Sequence, residues 1–172
     1  MRKVFGAQAL VQRCTLHKRR NVASSLPKEA AGRIDRRLAQ AFSHPDPDKG
    51  LARARTIASE LEKDHPDAAA SLREGLQDMF TVRRMGVSGR LAKTLTNTNC
   101  IESMISVART VMGNVKRWRD GSMKKRWVAV GMLEAERSFR RVKGCQEMPV
   151  LVAALRRHRR SVRGTEYDEQ AA

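Results

Sequence analysis

Long apolar runs are missing from this sequence. None approaches the roughly 18 residues that a membrane-crossing helix requires. The N-terminus, Met1-Arg2-Lys3-Val4-Phe5-Gly6, lacks the sustained apolar stretch of a signal peptide. The expected location is the cytoplasm. Cysteine is scarce too. Cys14, Cys100 and Cys145 are odd in number and widely spaced, which argues against a disulfide framework. Acidic residues are outnumbered: 18 Asp and Glu stand against 35 Lys and Arg, a formal charge of +17. No internal repeat is present, and strand patterns are almost absent.

What is there suits a folded chain. Hydrophobic residues make up 41% of 172, enough for a core, and the length fits one domain or part of a larger one. A charge excess of this size costs stability through self-repulsion, so it points to a polyanionic partner. Nucleic acid leads on this evidence. An anionic membrane surface fits less well, because the positive charge is spread along the chain rather than on one amphipathic segment.

Helical spacing dominates. Ile34, Leu38 and Phe42 lie four apart and predict a helix over about residues 28–43. Asp46-Pro47 reads as the cap and first residue of the next helix, with Leu51, Ala54, Ile57 and Leu61 on one face. After His65-Pro66 a third helix places Ala69, Leu72, Leu76 and Met79 inward, and Gly86 and Gly89 then mark a loop. A fourth helix starts near Asn99, with Ile101, Ile105, Ala108 and Met112 on its apolar face. Asp120-Gly121 marks a turn. The fifth helix uses Val128, Met132, Ala135, Phe139 and Val142, and a last one opens at Pro149 with Leu151, Ala154, Leu155 and His158. The tail after Arg159 is expected to be disordered. One strand is expected, over Ala9–Cys14. A lone strand needs a sheet, so either this segment is not a strand or a preceding segment supplies the sheet.

Three groups of residues could carry chemistry. Cys14 and His17 have the spacing of half a zinc site, but no second pair of ligands accompanies them, and a structural role is the better reading. In Thr98-Asn99-Cys100-Ile101-Glu102-Ser103, Asn99 at the N-cap and Glu102 three residues on would form a capping box. The other reading is a metal-binding carboxylate at the start of a helix, and on spacing alone the cap is the better one. The stretch from Val115 to Trp127 interleaves cations with Trp118 and Trp127, which suits phosphate contact and stacking on unpaired bases. Trp127 reads as core. Trp118 reads equally as a packing residue or a base-stacking one.

The run from Val11 to Val22, Val-Gln-Arg-Cys-Thr-Leu-His-Lys-Arg-Arg-Asn-Val, resembles the V-Q-R-C-x-x-H-K-x-R-N-V stretch of the Mutator-type bacterial insertion-sequence transposases. Thr98–Ser103 is similar to that family's T-N-x-I-E-S motif. Val115-Lys116-Arg117-Trp118 with Asp120-Gly121, then Arg126-Trp127 and Leu133-Glu134-Ala135-Glu136, resemble its V-K-R-W-x-D-G, R-W and L-E-A-E segments. The matches run in order from about residue 4 to about residue 155.

The resemblance implies the C-terminal part of an enzyme with a ribonuclease-H-like α/β core and a catalytic set of two aspartates and one glutamate. Glu102 matches the glutamate, as catalytic residue and metal ligand. No acidic residue precedes Glu29, so the aspartates are expected before Met1. Residues 1–27 would be the last strand of the core and the segment after it, 28–95 an all-helical insertion, 96–158 the C-terminal core helices and 159–172 a tail. In the complete enzyme the three carboxylates would hold divalent ions, magnesium by their hard oxygen ligands, for phosphoryl displacement in DNA cleavage and strand transfer. No metal and no transposition activity are expected of this chain alone. Arg109, Lys116, Arg117, Trp118, Arg119, Lys124, Lys125 and Arg126 would contact DNA. Further copies of the chain or a full-length transposase are possible partners. The competing readings are a non-enzymatic helix-turn-helix regulator built on about residues 66–95 and a basic RNA-associated helical protein.

Overall fold

The computed structural model describes residues 2–170. Among them are ten α-helices, three short 3-10 turns and no strand. The helices are α1 (Arg2–Phe5), α2 (Thr15–Ser24), α3 (Lys28–Phe42), α4 (Pro47–Leu61), α5 (Pro66–Arg73), α6 (Thr81–Arg84), α7 (Gly89–Leu95), α8 (Asn99–Met112), α9 (Gly121–Glu136) and α10 (Met148–Gln170). They divide into two units. One holds the residues up to Asn97 together with those from Lys143 on; the other is Thr98–Val142. No helix among the described residues is long and apolar enough to cross a membrane.

The core of the first unit follows the apolar spacing of its helices. Ile34, Leu38 and Phe42 of α3 meet Leu51, Ala54, Ile57 and Leu61 of α4, with Ala68, Ala69 and Leu72 of α5 and Val22 of α2 in the same cluster. Asp46 caps α4 as its spacing predicts, accepting from the amides of Asp48 and Lys49 at 2.9 and 3.1 Å. The expected third helix is interrupted. Gly75 adopts φ 62°, which a side chain disfavours, and α5 therefore ends at Arg73. Leu76 and Met79 still reach the core, but from a 3-10 turn. Phe80 closes that end, its ring 5.7 Å from Phe42 in an edge-to-face arrangement. A smaller cluster joins Val82, Val87, Leu91 and Ala92 to Met148 and Leu151 of α10.

The strand expected over Ala9–Cys14 does not form. No neighbouring strand is present among the described residues, and the segment's polar groups are met singly by the turn after α5 and by α6. The Arg13 amide donates to the Asp78 carbonyl at 3.1 Å, and the Thr81 hydroxyl donates to the Val11 carbonyl at 2.6 Å. The Gln12 side chain donates to the Met79 carbonyl at 3.0 Å and accepts from the Val82 amide at 2.9 Å. Helix α2 follows, which apolar spacing did not announce because Lys18 and Val22 are its only buried residues. Residues 66–95, considered for a helix-turn-helix, form α5, a 3-10 turn, α6 and α7, none longer than eight residues. The segment after Arg159, expected to be disordered, continues α10 as far as Gln170; residues 171–172 lie outside the described residues.

Ion pairs tie neighbouring helices of this unit. Arg19 of α2 grips Asp35 of α3 through two bonds at 2.8 and 2.5 Å, and Arg37 of α3 grips Glu60 of α4 at 2.5 and 2.8 Å. Glu62, just after α4, pairs with Arg73 of α5. The Arg37 hydrogen bond holds the Glu60 carboxyl below its ordinary value of 4.5. Hydrogen bonds from Arg13 and Lys18 do the same for Glu74, and those from the Lys49 and Asp48 amides lower Asp46. A carboxyl depressed in the folded state adds stability that is complete above its unfolded value and is lost as pH falls through its folded one. Thermal midpoints should therefore fall on acidification below about pH 4.5. Glu60→Gln should be less stable at neutral pH and lose less on the same acid titration. An acid profile that this substitution leaves unchanged would remove the pair from the account.

Candidate nucleic-acid interface

Helices α8 and α9 form an antiparallel hairpin, and its seam is made of small residues. Ala108, Gly131 and Ala135 are its buried positions. A Cβ placed on Gly131 would lie 3.0 Å from both Cα and Cβ of Ala108, so the two backbones approach too closely for a larger residue. The apolar face expected for the fifth helix is only partly used. Ala135 is buried, but Val128 is exposed, and Phe139 and Val142 lie beyond the end of α9 and are exposed as well. Ile101, expected to face inward on α8, is 51% exposed. The rest of that face follows the expectation in part: Ala108 is buried, and Ile105 and Met112 are half-buried.

Glu102 sits in the first turn of α8 and is exposed. The N-cap position is Thr98, one residue earlier than the capping-box spacing expects, so Asn99 is the first helical residue. The Glu102 amide donates to the Thr98 carbonyl at 2.9 Å, and the Thr98 hydroxyl donates to the Glu102 carboxylate. The carboxylate thus lies at the positive end of the helix dipole, held by the residue one turn before it.

The cations follow. Arg109 lies on α8; Lys116, Arg117 and Arg119 lie in the loop between the helices; Lys124, Lys125 and Arg126 lie on the first turns of α9. All seven are exposed, and among the described residues none forms an ion pair. The unit carries ten Lys and Arg against four Asp and Glu, and Arg137 pairs with Glu134. Asp120, read as a turn, is the cap of α9 and accepts from the Met123 amide at 2.7 Å. Trp118 is 38% exposed. Trp127, read as core, is half-buried.

Cys14 and His17 lie in the first unit, at the start of α2. The Cys14 sulfur caps that helix, accepting from the His17 amide at 3.5 Å, and lies 3.2 Å from His17 Nδ1. The three-residue spacing thus has a local structural use. Residues that spacing did not single out belong to the same region. Lys18 is 5% exposed and pairs with Glu74 at 3.3 Å while donating to the Ser71 carbonyl. Its only sequence signal is its place in a basic run, where burial is not expected.

A model of the family described as "Transposase, Mutator family" matches residues 1–141, and the chain belongs to that family of transposases. No curated protein and no solved structure matches it. Membership gives the chain a role in transposition and implies interaction with DNA and a general dependence on divalent metal. The residues at hand do not by themselves fit such an ion. Among those described, no three His, Cys, Asp or Glu side chains lie together as ligands, and Glu102 stands as a single carboxylate engaged by Thr98.

The small-residue seam is testable. Gly131→Val should force α8 and α9 apart, with overpacking costing about 1–3 kcal/mol. Amide exchange should then accelerate within Thr98–Val142 while protection persists in α3 and α4. Unchanged exchange in both helices would show that the seam tolerates bulk and is not what holds the hairpin.

Proposed function

We propose that this chain serves transposition by holding DNA on the α8–α9 hairpin and by contributing one carboxylate, Glu102, to a catalytic set that other residues complete. The observation behind the first part is the crowding of exposed cations between residues 109 and 126. In the first unit, cations of several helices are engaged by carboxylates, as in Arg19–Asp35 and Arg37–Glu60. On the hairpin, seven cations crowd into one loop and its flanking helices without such partners among the described residues. Charges left together in this way lower the cost of binding a phosphate backbone, whose condensed counterions they displace.

Support for the second part is the match of Thr98–Ser103 to the family motif together with the exposure of Glu102 at a helix start. In this reading the ribonuclease-H-like core and its metal site depend on residues beyond those described, and no cleavage step is assigned to Glu102 alone. The end-joining chemistry of the family belongs to the complete assembly.

Duplex DNA should bind the purified chain with little sequence preference. If six phosphates are neutralised, the log–log slope of affinity against salt should be about −5, and Lys124→Ala with Lys125→Ala should reduce its magnitude by about 1.8. Binding that ignores salt, or a slope untouched by the double substitution, would count against the hairpin.

The Glu102 reading calls for an active assembly in which the remaining carboxylates are supplied. Glu102→Gln should there abolish strand cleavage while leaving helix content and duplex affinity as they were, since the amide can still accept from the Thr98 hydroxyl. Cleavage near the wild-type rate would reduce Glu102 to a helix-terminal residue.

A further inference from the structure

We propose that a cleft beside Trp118 receives one unpaired DNA base. The proposal rests on the reading of the hairpin as a DNA-binding surface and names the part of the DNA that this surface selects. The cleft is open, about 440 Å³ in volume, and is lined by Arg117, Trp118, Arg119, Met123 and Arg126. It therefore combines an aromatic ring and a thioether with three guanidinium groups, none of them in an ion pair among the described residues.

Its walls are fixed by the start of α9. Asp120 caps the helix through the Met123 amide, and the Arg119 amide lies 3.4 Å from the Met123 sulfur. Trp118, two residues before the Asp120 cap, lines the cleft and stays partly exposed. Met123 and Arg126, three residues apart, lie on one side of α9 and face the same space. A tryptophan serving only to pack would be covered, whereas this one keeps 38% of its surface in solvent.

A perfect duplex has no use for such a slot. Its bases are stacked on one another, and its phosphates need only the cations. An extrahelical or single-stranded base offers a free face to the indole, while its flanking phosphates meet the guanidinium groups. The pairing of apolar slot and cationic rim therefore selects unpaired DNA over duplex.

The test uses the whole chain and two DNAs of one sequence, an intact duplex and the same duplex with a single extrahelical 2-aminopurine. Stacking contributes about 1–3 kcal/mol per base, so the bulged DNA should bind about 5- to 150-fold more tightly, with its fluorescence quenched. Trp118→Ala should lose both the preference and the quenching, while the salt slope on the intact duplex stays as in the wild type because no phosphate-binding cation is removed. Trp118→Phe should keep most of the preference. Equal affinity of the wild-type chain for the two DNAs without quenching would overturn the base cleft and leave the phosphate-binding surface standing. Loss of salt-dependent duplex binding in the wild type would instead overturn the surface itself, and the cleft with it. Preference and quenching that persist in Trp118→Ala, or tighter binding of the same sequence as RNA, would also overturn the assignment.

Discussion

The irregular segment of residues 11–14, which leads into α2, has no strand beside it among the described residues, and a buried amide or carbonyl without a partner costs about 1–3 kcal/mol. Much of the first unit is organised by this requirement. The Val11 carbonyl is met by Thr81, the Arg13 amide by Asp78, and both ends of the Gln12 amide by Met79 and Val82. Thr15 donates to the Thr96 carbonyl through its amide at 2.9 Å and its hydroxyl at 3.0 Å. These partners come from a 3-10 turn, from α6 and from the end of α7, so the segment is satisfied only when all three are in place. Gly75 makes the arrangement possible, because its left-handed turn ends α5 and lets the chain present carbonyls 78 and 79.

Charge is used in two ways along one chain. In the first unit it orients helices: bidentate arginine pairs link α2 to α3 and α3 to α4, and Lys18 is buried by Glu74 and a carbonyl. Exposed pairs of this kind add little stability one at a time. Their effect here is to take cations out of play as ligands for a polyanion. Other cations of the first unit, such as Arg33, Arg53 and Arg55, stay outside these pairs, and the hairpin differs in crowding seven of its own into one loop and its flanking turns.

Much of the helical core could be read from the sequence, because α3 and α4 place their apolar residues at intervals of three and four and bury all of those singled out. The cap at Asp46 and the turn at Asp120 also leave short-range signatures, whereas the cap made by the Cys14 sulfur does not show as one in the sequence. Features that depended on distant partners were hidden. A short run such as 9–14 reads as a strand because its apolar residues satisfy that pattern, and only the positions of Thr81 and Met79 show how its backbone is met. Helix α2 has almost no apolar stripe to announce it. On the hairpin, large apolar residues suggested the buried face, whereas the seam is set by the smallest ones. Of the candidate site, the cation row and Glu102 were visible as residue types. What sequence could not show was which cations were already paired elsewhere.

The hairpin's small-residue seam and its charge belong to one physical arrangement. Seven cations confined to a loop and two flanking helices repel one another, and repulsion of this kind favours an open, dispersed chain. Two local features oppose it. Ala108 against Gly131 lets the backbones approach until the helices pack with few side chains between them, and the Asp120 cap fixes where α9 begins. Larger apolar residues such as Ile105, Met112 and Met132 are only half-buried beside this seam, and Leu133 is 63% exposed. The hairpin therefore holds its charge on a narrow support. A polyanion laid along the cations relieves their repulsion and so stabilises the folded hairpin by the free energy of its own binding. Order in this unit and occupancy by nucleic acid are thus thermodynamically linked. If the hairpin holds DNA as proposed, the linkage runs both ways, because whatever preserves the close approach of α8 and α9 also preserves the charge density offered to the phosphates.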